Sequence, residues 1–379
     1  MINKKYIPFN SISIQGDEIT NLINSIDNDH LSGDGPFTKL CSSLLEDELK
    51  VKKSLITTSC THAMELAALI LDIKPGDEIL VPSYTFVSSI NPFILRGAIP
   101  KFIDIREDTL NIDESLIKKS LTKNTKAIVP VHYAGVGCEM DQIVNLANEN
   151  NLAIIEDNAH GLFGKFKNKY LGTFGDMATQ SFHETKNFTC GEGGALLINS
   201  TDNAISNRAE IIREKGTNRS KFFRGEVQKY EWIDVGSSFL PSDLLAAFLY
   251  SQLKSRDNIQ NKRKLLWNKY FELLKDWADA NNVKLPYVPE YCEQSYHMFY
   301  LIMPSTQVRN NFIDYLLNSN IKAVFHYIPL HSSVMGRKFD QDIDLKVTDE
   351  ISSRLVRMPF YTDLDLDDID FNIIFNFKF

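Results

Sequence analysis

The stretch Ala127-Ile-Val-Pro-Val131, then Glu139-Met-Asp-Gln-Ile-Val-Asn-Leu-Ala-Asn-Glu-Asn150, then Ala153-Ile-Ile-Glu-Asp157 decides the fold. A short β-rich run, a longer helical stretch and a second β-rich run make a strand–helix–strand unit. Outward from it, the same alternation fills residues 50–200. Strands are expected at 54–57, 78–81, 100–103, 127–131, 153–156, 177–182 and 195–198, and helices at 61–71, 87–96, 113–121 and 139–150. That succession predicts an α/β domain around a mainly parallel sheet. A helical pattern that opens on Ser242-Asp243, a helix N-cap pair, continues to about residue 277. It marks the passage from a large α/β domain, 1–250, to a smaller C-terminal α+β domain, 251–379, with elements at 298–303, 308–317, 322–328 and 367–376.

Composition narrows the function. The 379 residues allow roughly two or three domains and a large core. With 41 Lys and Arg against 49 Asp and Glu, the net charge of −8 argues against a dedicated nucleic-acid binder. An anionic small substrate stays open, because that needs only a local positive patch. The five cysteines lie far apart and form no CxxC pair, so neither a zinc site nor a disulfide framework is supported. A reducing compartment fits them. The N-terminus has two lysines without an apolar run behind them, which is not a signal peptide. Apolar stretches such as 66–71 fall far short of the roughly 20 residues of a membrane span. The expected location is the cytoplasm.

Four constellations could carry chemistry. Thr57-Thr-Ser-Cys-Thr-His62 is a polar cluster between a strand and an apolar helix. It is either an anion site at a helix N-terminus or a plain cap by Ser59 or Thr61. Ala153-Ile-Ile-Glu-Asp-Asn-Ala-His-Gly161 ends a buried-type strand in two carboxylates, and Asp157 and His160 would face the crevice off the sheet edge. Gln180-Ser-Phe-His-Glu-Thr-Lys-Asn-Phe-Thr-Cys-Gly-Glu-Gly-Gly194 sets Lys186 just beyond another strand end. A partly desolvated lysine has a lowered pKa and can form a Schiff base; a solvated lysine is the ordinary alternative. The glycines there are not a dinucleotide fingerprint, since they run into a β pattern. Finally, Arg208, Arg213, Lys215, Arg219, Lys221 and Arg224 stand against only Glu210 and Glu214. That island suits a dianionic ligand such as a nucleotide diphosphate, or is a solvated helix face.

Together these pieces resemble the DegT/DnrJ/EryC1/StrS family of pyridoxal-phosphate nucleotide-sugar aminotransferases. The resemblance runs nearly end to end, from Ile7-Pro-Phe-Asn10 onward. It is carried by Ser32-Gly-Asp-Gly-Pro-Phe-Thr38, Pro75-Gly-Asp-Glu78, Pro82-Ser-Tyr-Thr-Phe-Val87, Pro130-Val-His-Tyr-Ala-Gly135 and Ser181-Phe-His-Glu-Thr-Lys-Asn187. Within the family, Arg213-Glu-Lys-Gly-Thr-Asn-Arg219 and Phe325-His-Tyr-Ile-Pro-Leu-His331 are most similar to the dTDP-4-amino-4,6-dideoxygalactose transaminase branch.

The resemblance implies an aspartate aminotransferase-like fold, type I among pyridoxal-phosphate enzymes, and pyridoxal 5′-phosphate as cofactor, passing through its pyridoxamine 5′-phosphate form. It implies that Lys186 holds the cofactor and then moves the proton, and that Asp157 pairs with the pyridine nitrogen. Ser181, Cys60 and Thr61 would hold the phosphate and Phe86 would stack on the ring. His160 stands where many relatives have Gln, and a neutral imidazole can donate the same hydrogen bond. Where relatives supply an Asn from the partner subunit, this chain has Leu240; Ser238 is taken as its substitute. Leu245 replaces a common Gln. Arg213, Lys215, Arg219, Arg224 and His331 are the expected substrate contacts. His132 reads as a packed crevice histidine, and no catalytic role falls to His183. His326 and His331, with Pro329 between them, are not a helical metal pair, and no metal site is expected.

The implied reaction transfers an amino group from L-glutamate to C4 of dTDP-4-dehydro-6-deoxy-D-glucose, giving dTDP-4-amino-4,6-dideoxy-D-galactose and 2-oxoglutarate. Such a product would feed O-antigen lipopolysaccharide or a related surface polysaccharide, and a homodimer with shared active sites is implied. Three rivals stand beside it. Amination at C3 of a keto sugar would use the same core. A sugar 3-dehydratase would carry histidine in place of Lys186. A nicotinamide-dependent nucleotide-sugar dehydrogenase would need the glycine fingerprint that is missing here.

Overall fold

The computed structural model describes residues 6–339 and 343–379; residues 1–5, where a leader was sought, lie outside it. Two helices come first, α1 (Glu18–Asp27) and α2 (Pro36–Leu49). The alternating part then runs β1 (Lys53–Thr57), α3 (Cys60–Ile70), β2 (Glu78–Pro82), α4 (Asn91–Ile94), β3 (Ile99–Ile103), α5 (Glu114–Ser120), β4 (Thr125–Ile128), α6 (Met140–Asn150) and β5 (Ala153–Asp157). A short hairpin, β6 (Lys165–Phe166) and β7 (Lys169–Tyr170), precedes β8 (Met177–Ser181) and β9 (Gly194–Ile198). Helices α7 (Asn203–Arg213), α8 (Arg219–Phe223), α9 (Asp243–Lys254) and α10 (Arg256–Ala280) follow. The chain finishes with β10 (Cys292–Glu293), β11 (Tyr300–Ile302), α11 (Thr306–Asn318), α12 (Lys346–Arg354), β12 (Leu355–Arg357) and α13 (Phe371–Phe375).

Seven strands form the central sheet in the order β1-β9-β8-β5-β4-β2-β3. β3, β2, β4, β5 and β8 are parallel neighbours, while β9 runs antiparallel to both β8 and β1. The carboxyl ends of β1, β2, β4, β5 and β8 therefore share one edge, and β9 begins there. Strands buried on both faces read as near-continuous apolar runs, which is why β2 and β9 are buried at every residue. The mainly parallel α/β sheet is as the sequence implies.

A separate apolar cluster lies in the C-terminal part. It is built from Trp267, Tyr270, Leu274, Phe299, Leu301, Phe312 and Leu316, among others. Ile7 joins it, with its backbone paired to Asn320 and Lys322.

Four elements differ from expectation. Instead of a helix over 87–96 there is a 3-10 turn at Val87–Ser89 and the single turn α4. Pro92 lacks an N–H, and its ring would clash with the carbonyl four residues earlier in a continuous helix. The helical pattern from 243 to 280 is split at Ser255, whose hydroxyl donates to the Gln15 carbonyl at 3.4 Å. The element expected at 322–328 is neither helix nor strand; Val324 makes only an isolated bridge to Arg357 before the chain turns into the site. Ser242 stands at the α9 cap position without a side-chain bond. Its neighbour Asp243 instead accepts from the Phe37 and Thr38 amides, at 3.1 and 2.8 Å, and so caps the first turn of α2.

Candidate active site

At the shared strand edge lies a cavity of about 450 Å³ whose lining includes Cys60, Thr61, Phe86, Asp157, His160, Ser181 and Lys186. These residues come from four separate segments, and the topology brings them together because each lies at or just after a strand end.

At the start of α3 the Ser59 side chain accepts from the His62 amide at 3.1 Å, and the Ser59 carbonyl accepts from Ala63. Ser59 is thus the cap, and the amides of Cys60 and Thr61 are left at the open, electropositive end. Thr61 Oγ1 contacts Ser88 Oγ at 2.7 Å. Gly194 packs against this turn so closely that a Cβ there would lie 2.4 Å from the Cys60 nitrogen. Burial, helped by nearby Asp157, pushes the Cys60 thiol up to about 12, so it is a neutral lining group.

Asp157 ends β5, buried. Its Oδ2 accepts from Ser89 Oγ at 2.6 Å and its Oδ1 from the Ala159 amide at 3.1 Å. The preceding residue points to the other face of the sheet. Glu156 accepts there from His132 Nε2 and from the amides of Gly172, Phe174 and Gly175, all within 2.7–2.9 Å. His132 Nδ1 accepts from the Cys138 amide at 3.2 Å, so its other nitrogen carries the proton. This is the packed crevice histidine, and it fixes the strand that presents Asp157.

Lys186 sits in the turn after β8. Burial lowers its pKa from the usual lysine value to about 8, against the raising effect of Cys60 and Asp157. The turn is pinned by Asn187, which donates to the Ser295 carbonyl at 2.7 Å and accepts at Oδ1 from His297 at 2.9 Å. His160 stacks on His297 with ring centroids 4.2 Å apart, and His326 lies beyond it. Burial holds all three imidazoles well below the usual histidine range. They are neutral at pH 7. The Nδ1 of His160 is buried with no hydrogen-bond partner among the described residues.

The sequence matches the DegT/DnrJ/EryC1/StrS aminotransferase family over residues 13–374. The chain belongs to that family. An uncharacterized protein of Methanocaldococcus jannaschii is 30% identical over 377 residues, which is 97% of this chain and 96% of that one. The fold is shared with the aminotransferase TlmJ from Streptoalloteichus hindustanus, at TM-score 0.89, 23% identity and 98% of both chains. It is shared with PseC from Helicobacter pylori at TM-score 0.86, 23% identity and 97% of both chains. A third likeness is to Spr1654 from Streptococcus pneumoniae in its PMP form, at TM-score 0.89, 24% identity and 97% and 98% of the two chains.

The family's cofactor is pyridoxal 5′-phosphate, and the cavity of this aminotransferase fits it. A helix N-terminus with hydroxyls for a phosphate, a carboxylate, an unpartnered imidazole nitrogen and a lysine of low pKa all line one space.

The remaining expected contacts lie elsewhere in the DegT-family chain. Arg213 is buried, donating to the Ile56 carbonyl at 3.1 Å and paired with Asp34, so within its own chain it fastens α7 to β1. Lys215 and Arg219 reach Glu214 at 3.2 and 3.4 Å. Arg224 pairs with Glu210 and Glu226 at 2.9 and 2.6 Å. None of the four lines the cavity, and exposed Ser238 does not either. His331 is buried outside it, with Nδ1 on Ser83 Oγ at 2.7 Å. Leu240 packs over Gly33, and Leu245 packs against an apolar cluster that includes Cys41 and Leu45.

Other lining residues had no assigned part in the sequence. Ser88, His297, His326, Tyr327 and Arg357 all reach the cavity. For Arg357 a signal exists: it is a charged residue inside the apolar run Leu355-Val-Arg-Met-Pro359.

Proposed function

We propose that this aminotransferase moves an amino group from L-glutamate to C4 of dTDP-4-dehydro-6-deoxy-D-glucose, giving dTDP-4-amino-4,6-dideoxy-D-galactose and 2-oxoglutarate. The observation that carries the reading is Lys186 and Asp157 facing one cavity beside the open end of α3. Bound there, pyridoxal phosphate supplies an electron sink for the carbon that loses its proton. The Cys60 and Thr61 amides and Ser181 would hold the phosphate, and Phe86 would cover a ring face. Asp157 would accept a hydrogen bond from the protonated ring nitrogen and keep it charged, and His160 would offer one neutral nitrogen to the ring's oxygen substituent. Lys186, with a pKa of about 8, would carry the proton at Nζ between the substrate carbon and the cofactor carbon in each half-reaction. A sugar acceptor is supported by the likeness in fold to PseC, an aminotransferase involved in pseudoaminic acid biosynthesis.

A second copy of the chain completes the unit in this proposal. Ile19, Ile23 and Ile26 on α1, and Phe223, Trp232 and Val235 near the basic island, are large apolar side chains left exposed. A homodimer would cover them. Arg213, Lys215, Arg219, Arg224 and Ser238 are then taken to serve the partner's cavity, with His331 as a sugar contact. The larger unit is taken as 1–250 and the smaller as 251–379. No helix among the described residues is long and apolar enough to cross a membrane. The five free thiols support a cytoplasmic location, and synthesis of a surface polysaccharide such as O-antigen would use the product.

The test is the visible absorption spectrum of the protein with pyridoxal phosphate, before and after L-glutamate. A cofactor band bleached by glutamate supports the reading, with the sugar product then identified by NMR. Absence of a band, or full transamination by Lys186→Ala, overturns it.

A further inference from the structure

Arginines turned toward the interior of this chain are of two kinds. Arg263, fully enclosed, spends its guanidinium on the carbonyls of Tyr296 and His297, at 2.9 and 2.7 Å, and on Thr362 Oγ1 at 3.3 Å. Arg213 leaves its Nε without a partner but spends both terminal nitrogens on the Ile56 carbonyl and the Asp34 carboxylate. Such arginines brace the fold. Arg357 is different. It stands on β12, its backbone tied in both directions to Val324 at 2.7 and 3.0 Å, and its side chain lines the cavity that holds Lys186 and Asp157. Among the described residues its guanidinium has no ion pair and no hydrogen bond, and its Nε is buried without a partner. Its guanidinium lies over the Phe9 ring, with Cζ 4.8 Å from the centroid. A desolvated guanidinium lacking an anion is costly, so it implies an anion that arrives from outside.

We propose that Arg357 is the anchor for the carboxylate of the amino donor, a 2-amino acid, and of the 2-oxo acid that leaves. This rests on the reading of the cavity as a transamination site. The neighbours select the ligand. The imidazoles of His160, His297 and His326 and the phenols of Tyr84, Tyr133 and Tyr327 surround the guanidinium or interact with it, and all of these are neutral. Asp157, the carboxylate nearest the chemistry, is already engaged by Ser89 and the Ala159 amide. A planar carboxylate matches the guanidinium fork, and its small size suits an enclosed corner. A nucleotide diphosphate calls for several cations, which the exposed basic island offers and a single guanidinium does not. Arg357 and Lys186 line the same cavity, so a carboxylate held by one sets the donor amine before the other.

The experiment separates the two half-reactions. With cofactor-loaded protein, bleaching of the cofactor band by L-glutamate is measured for wild type, Arg357→Gln and Arg357→Lys. Binding of 2-oxoglutarate to cofactor-free protein is followed by calorimetry. Loss of one charge-assisted pair predicts a rise of about 10- to 100-fold in the half-saturating glutamate concentration and in the 2-oxoglutarate dissociation constant for Arg357→Gln. Arg357→Lys should recover part of both. Affinity for the nucleotide sugar should stay within about twofold of wild type. If Arg357→Gln keeps the cofactor band and wild-type carboxylate affinity, the proposal fails while the transaminase reading stands. A loss confined to the nucleotide sugar also overturns it, assigning the guanidinium to the diphosphate. If wild type binds the cofactor but no 2-amino acid bleaches it, the transaminase reading itself has failed.

Discussion

Ser89 Oγ donates to Asp157 Oδ2 at 2.6 Å, and Ser89 is itself joined to Thr85 Oγ1 at 2.7 Å. The 3-10 turn after β2 thus holds the carboxylate at the end of β5. Elements distant in sequence fix one oxygen of one side chain, leaving its remaining lone pairs for the cavity.

Ser89→Ala should therefore let Asp157 rotate without unfolding the protein. A single hydrogen bond to a carboxylate contributes about 1.5 kcal/mol, so the pyridoxal phosphate dissociation constant should rise about tenfold. Ser89→Thr should restore it. Fluorescence titration of cofactor-free protein measures both, and an unchanged constant for the alanine variant would remove Ser89 from this role.

Lys186 gives a pH dependence of defined sign. Its folded pKa, about 8, lies below its ordinary value of 10.5. Below pH 8 the folded state must charge a buried amine, so the cost to stability is full there; it fades as pH rises from 8 to 10.5. Cofactor-free Lys186→Met should melt higher than wild type at pH 7, with the gap narrowing across that window. The rate at which wild type captures pyridoxal phosphate should rise with pH and level off above about 8, as the free amine accumulates.

Glu156→Gln tests the support beneath Asp157. The amide would set an NH₂ group against donors that now point at a carboxylate, among them the Phe174 and Gly175 amides. A loss of about 3 kcal/mol is expected from breaking a buried charged network. Urea denaturation would show it as a lower midpoint at constant slope. A change below about 0.5 kcal/mol would mean the network is dispensable.

Arg219 is half exposed and reaches Glu214 at 3.4 Å, so Arg219→Ala should change stability by less than about 0.5 kcal/mol. If the basic island serves the partner's cavity, the same variant raises KM for the nucleotide sugar and leaves the glutamate half-reaction unchanged. An unaltered KM would return the island to the status of a solvated surface.

Much of the site was legible because it is built from short contiguous motifs. The residues 181–187 carry Lys186 at a strand end, and 153–161 carry Asp157 and His160, so local pattern and position in an α/β alternation sufficed. What escaped depends on contacts across the chain. Arg357 stands out locally only as a charge inside an apolar run, which does not say what it meets, and Ser89 looks like any hydroxyl in a turn. Asp243 reads as a first-turn acid of its own helix, yet it caps α2, 205 and 206 residues away.

By itself the sequence determined the strand–helix alternation, the family and the lysine and carboxylate that face the cavity, because apolar periodicity and motif spacing are properties of neighbours along the chain. Only the tertiary structure decided which buried groups are satisfied. Arg213 found a carbonyl and a carboxylate and Arg263 carbonyls and a hydroxyl, while Arg357 met an aromatic face and no anion among the described residues. Hydrogen-bond satisfaction is fixed by distances between segments far apart in sequence, so an anchoring cation and a structural one differ only after folding.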